Sequence, residues 1–355
     1  TFLFQMKKNQ LSGIRLLAQK LNVSTATISR ALSPETAHLV KEDRRKIILE
    51  LADKLRYRPN PGARLIQRGV SPTITVLANE DPCFFTSPFY GRLMSGMIRS
   101  TQGTEWDIHI STLKDTTGNI LDKFRQVGLG CSGIIYLGRV LTTEEMDLLS
   151  QYHGALVLLS STIPPGYPID QVPCHVLGAN QYNGATAAAK FIVEQGHRDI
   201  GLILGSEDSR DFSDRRRGYI DELKKAKVSI NEDMIYSGSC DAETGRAGFD
   251  YFKAKKQMPT ALLCATDNIA LAAMSQANDN GLNCPSDISI IGFDDDPWSM
   301  FCSPKLTTVH QPLEELSSRM VEILAGSITD SSVDFRQQVI LDTDLKIRES
   351  VASPR

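Results

Sequence analysis

Four side chains in a short N-terminal segment have the chemistry to contact the edges of DNA bases. Residues 14–30 read as two helices joined by a tight turn at Asn22, and Ser24 is placed to cap the second helix. The outer face of that helix carries Thr25, Ala26, Ser29 and Arg30. Short hydroxyl and methyl side chains approach base edges closely, and a guanidinium group donates two hydrogen bonds to guanine. The pattern predicts a helix-turn-helix unit; an ordinary helical hairpin with a solvated face is the alternative.

Apolar residues at helical spacing predict the core of this unit. In the first helix the spacing i, i+3, i+4, i+7 is occupied by Ile14, Leu17, Ala18 and Leu21. In the second helix the inward positions are Val23, Ile28 and Leu32. A third helix is predicted from Lys41 to Leu55, with one face formed by Ile47, Ile48, Leu51, Ala52 and Leu55. Three short helices can enclose a small core.

The charges are unevenly divided along the 355 residues. Residues 1–70 contain 14 Lys and Arg against 5 Asp and Glu, whereas the remainder contains 25 against 37. A cationic module binds a polyanion through counterion release, and an acidic body limits nonspecific adhesion to DNA. The length predicts one small module and one or two larger domains.

Cysteine usage and hydropathy indicate a reduced, cytoplasmic protein. Seven cysteines are scattered without a C-x-x-C pair, and the sequence contains no apolar run of membrane-spanning length and no secretory leader. We expect no cofactor and no metal. Met6 is the expected natural start, with residues 1–5 a remnant of cloning.

The basic segment that follows the third helix predicts a domain boundary. Pro59 and Pro61 end the helix, and Gly69 precedes the next domain. The sequence here resembles the lactose/galactose repressor family of bacterial transcription regulators. The matching motifs are Val23-Ser24 with Thr27-Ile28-Ser29-Arg30, then Tyr57-Arg58-Pro59-Asn60, then Ala63-Arg64.

The resemblance implies a role for each part of the N-terminal region. A helix-turn-helix domain would span 6–57 and a hinge 58–71. Two hinges of a dimer would push an apolar side chain between base pairs in the minor groove; by position this is Ile66, where the family usually has Leu. Gly62 and Pro61 depart from the more helix-friendly residues common there. The DNA-contacting residues would be Ser24, Thr25, Ala26, Thr27, Ser29, Arg30, Tyr57, Asn60, Ala63, Arg64 and Ile66.

Beyond Gly69 the chain alternates apolar runs with amphipathic helices, which predicts a parallel α/β fold. The predicted strands are Ile74 to Ala78, Trp106 to Ser111, Gly133 to Leu137, Ala155 to Leu159, Ile200 to Leu204, Ala261 to Ala265 and Ile288 to Phe293. These fit two doubly wound lobes, and the resemblance implies a periplasmic-binding-protein-like fold over 72–349 in which the chain crosses between lobes three times. Lobe one would be about 72–180 with 302–332, and lobe two about 181–301 with 333–349.

Polar residues at the ends of predicted strands indicate a ligand cleft between the lobes. Arg215, three residues before Gly218, matches the family arginine that hydrogen-bonds the effector, and its donors suit sugar hydroxyls, a carboxylate or a phosphate. Thr266 occupies another effector-contacting position, and Asp267 is expected to cap the following helix. Asp294 aligns with a family aspartate that accepts hydrogen bonds from ligand hydroxyls, and we favour it over its neighbours Asp295 and Asp296.

Residues predicted across the cleft are Asn79, Phe89, Tyr90 and Trp298. Phe89 and Tyr90 follow the first strand and are candidates to stack on a ring, although paired aromatic residues equally form core. Trp298 lies in a loop, where an aromatic residue can cover a sugar or form an interface.

The sequence predicts a homodimeric repressor of a sugar-utilisation operon, bound to a palindromic operator and controlled by a small-molecule effector, a sugar or a sugar derivative. The chain ends soon after the last predicted strand, which favours a dimer over a tetramer. The alternative is a ligand carrier or transport-binding protein. The basic N-terminal module and the absence of a signal-peptide pattern in the sequence argue against it. A hydrolase is disfavoured, because the sequence contains no G-x-S-x-G, H-E-x-x-H or phosphate-binding motif. We therefore expect no enzyme activity.

Replacing Ile66 tests the predicted hinge wedge. Ile66→Ala should abolish DNA bending and weaken specific binding by about tenfold or more, because the wedge gains contact area by unstacking a base step. Ile66→Leu, which restores the residue usual in the family, is the matched control and should keep both properties. Electrophoretic bending assays on permuted fragments measure the effect, and equal bending by wild type and Ile66→Ala would contradict it.

Overall fold

A computed structural model of the chain describes residues 13–33, 36–55, 57, 71–79, 86–113, 119–255, 258–329 and 336–354. The chain divides into two compact units, Thr1–Ser71 and Pro72–Arg355. The hinge predictions for Asn60, Ala63, Arg64 and Ile66 lie outside the described residues.

The first unit contains the three predicted helices, α1 (Ile14–Lys20), α2 (Thr25–Leu32) and α3 (Glu42–Lys54). Their buried core is formed by Leu17, Ala18, Ile28, Ala31, Ile48 and Ala52. The predicted inward position of Ile47 is wrong, because this side chain is 52% exposed.

The turn between α1 and α2 has the predicted chemistry. Asn22 adopts a φ of 48°, in the left-handed region that Asn tolerates better than most residues. Ser24 is the N-cap of α2, and its hydroxyl accepts a hydrogen bond from the backbone N–H of Thr27 at 3.0 Å. This cap satisfies one of the helix's free donors and fixes where α2 begins.

The second unit contains two six-stranded sheets, as predicted for an α/β fold with two lobes. The first sheet, in the order β11-β5-β4-β3-β1-β2, is parallel throughout and consists of β1 (Thr73–Asn79), β2 (Asp107–Leu113), β3 (Gly133–Leu137), β4 (Ala155–Leu159), β5 (His175–Ala179) and β11 (Gln338–Leu341). The second sheet, in the order β12-β10-β9-β8-β6-β7, consists of β6 (Ile200–Leu204), β7 (Ile235–Ser237), β8 (Ala261–Cys264), β9 (Ser289–Asp294), β10 (Thr307–His310) and β12 (Asp344–Lys346). In the second sheet only the β10–β12 pair is antiparallel. We call each sheet with its helices the first and second lobe.

Helices cover the two sheets. The described helices of this unit are α4 (Pro88–Thr101), α5 (Ile120–Gly128), α6 (Thr143–Leu148), α7 (Gln181–Glu194), α8 (Arg210–Lys225), α9 (Ala242–Lys253), α10 (Asp267–Asp279) and α11 (Leu313–Thr329). In β1 the side chain of Val76 packs with the cluster that includes α4 and α11, and that of Leu77 packs with the cluster that includes α5. This alternation shows that the first sheet is buried on both faces, as parallel sheets generally are. None of the described helices is long and apolar enough to cross a membrane.

The predicted lobe boundaries need correction at two strands. β10 lies within 302–332, assigned to lobe one, yet it pairs with β9 in the second sheet. β11 lies within 333–349, assigned to lobe two, yet it pairs with β5 in the first sheet. The chain therefore returns to the first lobe after β10 and leaves it after β11. Short strands at or near a sheet edge carry little local signal for which sheet completes their hydrogen bonds, so the sequence could not place them.

The contact between α4 and α11 depends on a glycine. A Cβ at Gly96 would overlap the Ser317 hydroxyl and the Glu314 carbonyl oxygen, whereas a Cβ at Gly91, in the same helix, would meet nothing within 4 Å. The Ser318 hydroxyl also donates a hydrogen bond of 3.0 Å to the Gly96 carbonyl. The two helices can lie this close because position 96 has no side chain.

Alanine at these two glycines should have opposite effects on stability. Gly96→Ala should lower the free energy of unfolding by about 1–3 kcal/mol, because the added methyl forces the helices apart. Gly91→Ala is the matched control and should raise it by about 0.5–1 kcal/mol, through the helix propensity of alanine. Urea unfolding measures both, and equal effects of the two substitutions would contradict the assigned contact.

Candidate functional site

A cavity of about 660 Å³ lies between the two lobes of the second unit. The first lobe contributes Thr86, Ser87, Pro88, Phe89, Tyr90 and Ser161 to its lining. The second lobe contributes Asp211, Phe212, Arg215, Ser239, Cys240, Asp241, Thr266, Asn268, Leu271, Asp294, Asp296 and Trp298. Several of these follow the carboxyl ends of parallel strands, where ligands of doubly wound folds bind.

Arg215 is the central cation of the cavity. Its guanidinium is buried, and its Nε donates to Gln181 Oε1 at 2.8 Å while Nη1 donates to the Ala265 carbonyl. Nη2 lies 3.4 Å from Asp294 Oδ1. The Cζ atom of Arg215 lies 4.0 Å from the centre of the Phe293 ring, a cation–π distance. These contacts fix the side chain before any ligand arrives.

Asp294 ends β9 in an unusual backbone conformation, with a φ of 116°. Its Oδ1 accepts a hydrogen bond of 2.6 Å from Gln311 Nε2 as well as the contact from Arg215. Burial raises the pKa of the Asp294 carboxyl, and the charge of Arg215 opposes that rise. Asp294 lines the cavity, and strained backbone conformations cluster at functional positions.

Asp211 links the two lobes. Its Oδ1 accepts a hydrogen bond of 2.8 Å from the Ser160 hydroxyl of the first lobe, and its Oδ2 accepts one of 3.1 Å from Gln181. Burial raises the pKa of Asp211 to about 6, against the opposing effects of Arg215 and Ser160. The carboxyl is therefore a polar bridge between the lobes.

The predicted cap of α10 is wrong by one residue. Thr266 is the N-cap, and its hydroxyl accepts a hydrogen bond of 3.2 Å from the backbone N–H of Ile269. Asp267 is fully buried, and it accepts hydrogen bonds from the Thr308 hydroxyl and from the backbone N–H of Asp296. Asp267 thus positions the loop after β9 and does not cap the start of α10.

The three consecutive aspartates at the end of β9, Asp294, Asp295 and Asp296, have different environments. Asp295 is paired with Arg348 and His310, whose hydrogen bonds lower its pKa although burial opposes them. It does not line the cavity, whereas Asp294 and Asp296 both do. Burial and then the charge of Asp294 raise the pKa of Asp296 to about 7. The role of Asp294 as an effector contact stays a prediction, and the lining adds Asp296 as a second candidate.

The cavity brings together most of the predicted effector residues. Those in its lining are Phe89, Tyr90, Arg215, Thr266, Asp294 and Trp298. Phe89 and Tyr90 form an edge-to-face pair with ring centres 5.2 Å apart. Trp298 is 62% exposed at the rim, and Asn79, at the end of β1, is not in the described lining.

Sequence reasoning missed several lining residues. Ser239, Cys240 and Asp241 follow β7, a three-residue strand whose sequence gives no periodic signal. Ser161 follows β4, which was predicted, so a search of that strand's carboxyl end would have found it. In the described part of the chain, no cluster of His, Cys, Asp and Glu could hold a metal ion.

The exposed face of α2 is the second candidate site. Thr25, Ala26 and Arg30 are exposed and Ser29 is half-buried. The Ser24 hydroxyl and Thr27 Oγ1 lie 2.9 Å apart, so both are engaged at the helix start. Tyr57 is half-buried against the core of the three helices, and its backbone N–H donates to the Ala52 carbonyl at 2.8 Å.

A helix suited to a DNA groove in one unit and a two-lobed ligand cleft in the other define the class of ligand-responsive transcription regulators. Comparisons with known proteins agree with this class. The periplasmic binding protein-like domain family matches residues 189–351. The HTH-type transcriptional repressor PurR of Pasteurella multocida is 26% identical over 344 residues, covering 97% of this chain and 99% of the relative. The probable HTH-type transcriptional repressor ExuR of Bacillus subtilis is 29% identical over 353 residues, covering 95% and 98%.

Solved structures show the same fold. A lac repressor dimer bound to operator and the anti-inducer ONPF has a TM-score of 0.78 at 20% identity, covering 95% of this chain and 98% of that one. A complex of the transcriptional regulator CelR with cellobiose has a TM-score of 0.71 at 22% identity, covering 96% and 100%. The chain is therefore similar, over nearly its whole length, to transcriptional repressors that share the fold of the lactose/galactose repressor family.

Removing Arg215 should strongly destabilise the second unit. Arg215→Ala should lower the free energy of unfolding by about 3–5 kcal/mol, because it leaves the buried Asp294 carboxylate without its cation. The loss should be smaller at pH 5 than at pH 8, since the pKa of Asp294 is raised and its neutral form needs no cation. Urea unfolding at both pH values measures the difference.

Two further variants control this experiment. Arg217→Ala removes a solvent-exposed arginine of the same helix, bonded to Asp214, and should cost less than about 1 kcal/mol. Adding Asp294→Asn to Arg215→Ala should recover part of the lost stability. A loss that is independent of pH and unchanged in the double variant would show that packing, and not the ion pair, is responsible.

Proposed function

We propose that this protein is a homodimeric repressor that binds a palindromic operator and is controlled by a sugar or sugar derivative bound in the cavity between its lobes. The observation that carries the proposal is the exposed face of α2, with Thr25, Ala26 and Arg30 on a helix held by the Ser24 cap. Binding of a ligand in the cavity does not require such a helix, whereas binding in a DNA groove does.

The relatives support the same function. PurR and ExuR are named as transcriptional repressors, and the CelR structure contains cellobiose. A regulator from Enterococcus faecium with the same fold contains bound ribose, at 19% identity and a TM-score of 0.66. We infer from these names that the effector is a carbohydrate. Since the named relatives are repressors, we propose no enzyme activity and expect the protein to act in the cytoplasm, where the operator is.

The proposed effector contacts are those of the cavity. Arg215, Asp294 and Thr266 would meet polar groups of the ligand, while Phe89 and Tyr90 would meet its apolar face. Because both lobes contribute lining residues, a bound ligand can stabilise one arrangement of the lobes over another, and only this difference in affinity can change DNA binding.

Exposed apolar side chains support a dimer. Phe301 is 80% exposed and Met300 46% exposed, and they are adjacent in the segment after β9. A twofold dimer would present two copies of α2 to two half-sites, which predicts the palindromic operator. A carrier without regulatory role is the alternative that the cavity alone allows.

Replacing Arg30 tests the proposed reading of bases. Arg30→Ala should weaken operator binding by about 1–3 kcal/mol and relax the base preference at one position of each half-site. Selection of binding sites from random DNA, with wild type and with the variant, measures both effects. Arg246→Ala, which removes an equal charge from an exposed site of the second unit, should leave the selected sequence unchanged.

Two results would contradict the proposal. A uniform loss on all DNA would make Arg30 a phosphate contact and not a base contact. Failure of the wild-type protein to select any sequence would instead favour the carrier.

A further inference from the structure

The cavity wall contains a carboxyl oxygen, Oδ1 of Asp296, to which no described residue donates a hydrogen bond. Asp296 is 5% exposed and precedes the short 3-10 helix Pro297–Met300. Its backbone is held by the hydrogen bond from its N–H to Asp267 Oδ2, 2.7 Å long. Among the described residues, nothing donates a hydrogen bond to its Oδ1 atom. Buried polar atoms are nearly always satisfied, so an unsatisfied one on a cavity wall indicates a donor that comes from a ligand.

The two arginines whose charges act on Asp296 donate their hydrogen bonds to other groups. Arg92 of α4 donates to both oxygens of Glu314 and to the carbonyls of Asp294 and Gln311. Arg215 donates to Gln181 and to a backbone carbonyl, and it pairs with Asp294. Neither group is placed to form the missing hydrogen bond.

The surroundings of Asp296 are predominantly acidic. The charged groups that face it are Asp294 and Asp295 of the same loop, Asp267 of α10, Arg92 of α4 and Arg215 of α8. Their net effect, together with burial, raises the pKa of Asp296 to about 7. The two cations therefore do not compensate for burial and for the neighbouring carboxylates.

The charges of the cavity lining also disfavour a negatively charged ligand. Asp211, Asp241, Asp294 and Asp296 line it, and Arg215 is the one cation among the described lining residues. A ligand carboxylate or phosphate would have to lie among these acidic groups, where Arg215, the one cation of the described lining, is already paired with Asp294. A hydroxyl or ammonium group has no such cost and supplies the donor that Asp296 lacks.

We propose that the effector carries no negative charge and donates a hydrogen bond from a hydroxyl or ammonium group to the Asp296 carboxylate. This inference rests on the proposed function. Asp296 is thereby a specificity-determining residue, separate from Asp294. Asp294 already accepts hydrogen bonds from within the chain, whereas Asp296 selects among ligands by their charge.

The first test is a thermal-shift screen of the full chain with sugars in four charge classes. The neutral probes are glucose, galactose, ribose and cellobiose, and the amino probes are glucosamine and galactosamine. The acidic probes are glucuronate and galacturonate, and the phosphorylated probes are glucose 6-phosphate and ribose 5-phosphate. A ligand that prefers the folded state raises its melting temperature. We expect the binding probes to be neutral or amino sugars.

The second test is calorimetry of the best probe with variants. Asp296→Ala should weaken binding by about tenfold or more, because a hydrogen bond to a charged acceptor is lost. Asp296→Asn keeps an acceptor oxygen but has no negative charge. For a hydroxyl donor it should therefore bind more tightly than Asp296→Ala does. For an ammonium donor it should lack the charge attraction that Asp296 provides. Asp208→Asn makes the same change at an exposed site outside the lining and should leave the affinity unchanged.

The pH dependence of binding gives an independent readout. The affinity of wild type for the probe should rise about tenfold from pH 6 to pH 8, as the Asp296 carboxyl with its pKa of about 7 ionises and becomes the stronger acceptor. Asp296→Asn should lose most of this rise. Any pH dependence of affinity that remains in this variant would come from Asp211 and Asp294.

The outcomes separate this inference from the proposed function. Tightest binding by a uronate or a sugar phosphate, or wild-type affinity in Asp296→Ala, would overturn the inference and leave an effector-controlled repressor intact. If no probe of any class binds, the proposed sugar effector is wrong, and the inference falls with it.

Discussion

The buried guanidinium of Arg215 is the group on which the arrangement of the cavity depends. It joins the start of α7 through Gln181, the end of β8 through the Ala265 carbonyl and the end of β9 through Asp294. A buried charge is stable only when it is paired and hydrogen-bonded, so these three segments must meet where Arg215 can reach them. The strand ends of the second lobe are therefore fixed by electrostatics as well as by apolar packing.

Polar bridges connect this centre to the first lobe. Arg92 of α4 donates to the carbonyl of Asp294 at 2.7 Å, and Ser160 donates to Asp211. Gln181 and Gln311, each next to a crossing between the lobes, are hydrogen-bonded to each other at 2.8 Å. Because every one of these groups is in or next to the cavity, a ligand that changes their contacts changes what holds the lobes together. That is the physical requirement for control of one site by another.

The sequence was most informative where a local rule determines the structure. The strands Gly133–Leu137, Ala155–Leu159 and Ile200–Leu204 were predicted to the residue, because each is a continuous apolar run in a sheet buried on both faces. The α2 cap and the Asn22 turn could also be predicted from the sequence, since each depends on one side chain and the backbone next to it. β10 and β11 were not predicted, because a strand of four residues, at least half of them polar or exposed, resembles a loop until its partner strand is known.

The sequence by itself determined the class of fold, the helix-turn-helix unit, and two candidate cavity residues, Arg215 in the helix after β6 and Asp294 at the end of β9. These follow from periodicity, from capping chemistry and from family resemblance, all of which are local along the chain. Only the tertiary structure decided that Asp267 is buried behind the loop, that Asp295 pairs with Arg348, and that Oδ1 of Asp296 has no hydrogen-bond donor among the described residues. Three adjacent aspartates look alike in sequence, and their different roles arise because burial and charge depend on residues distant along the chain.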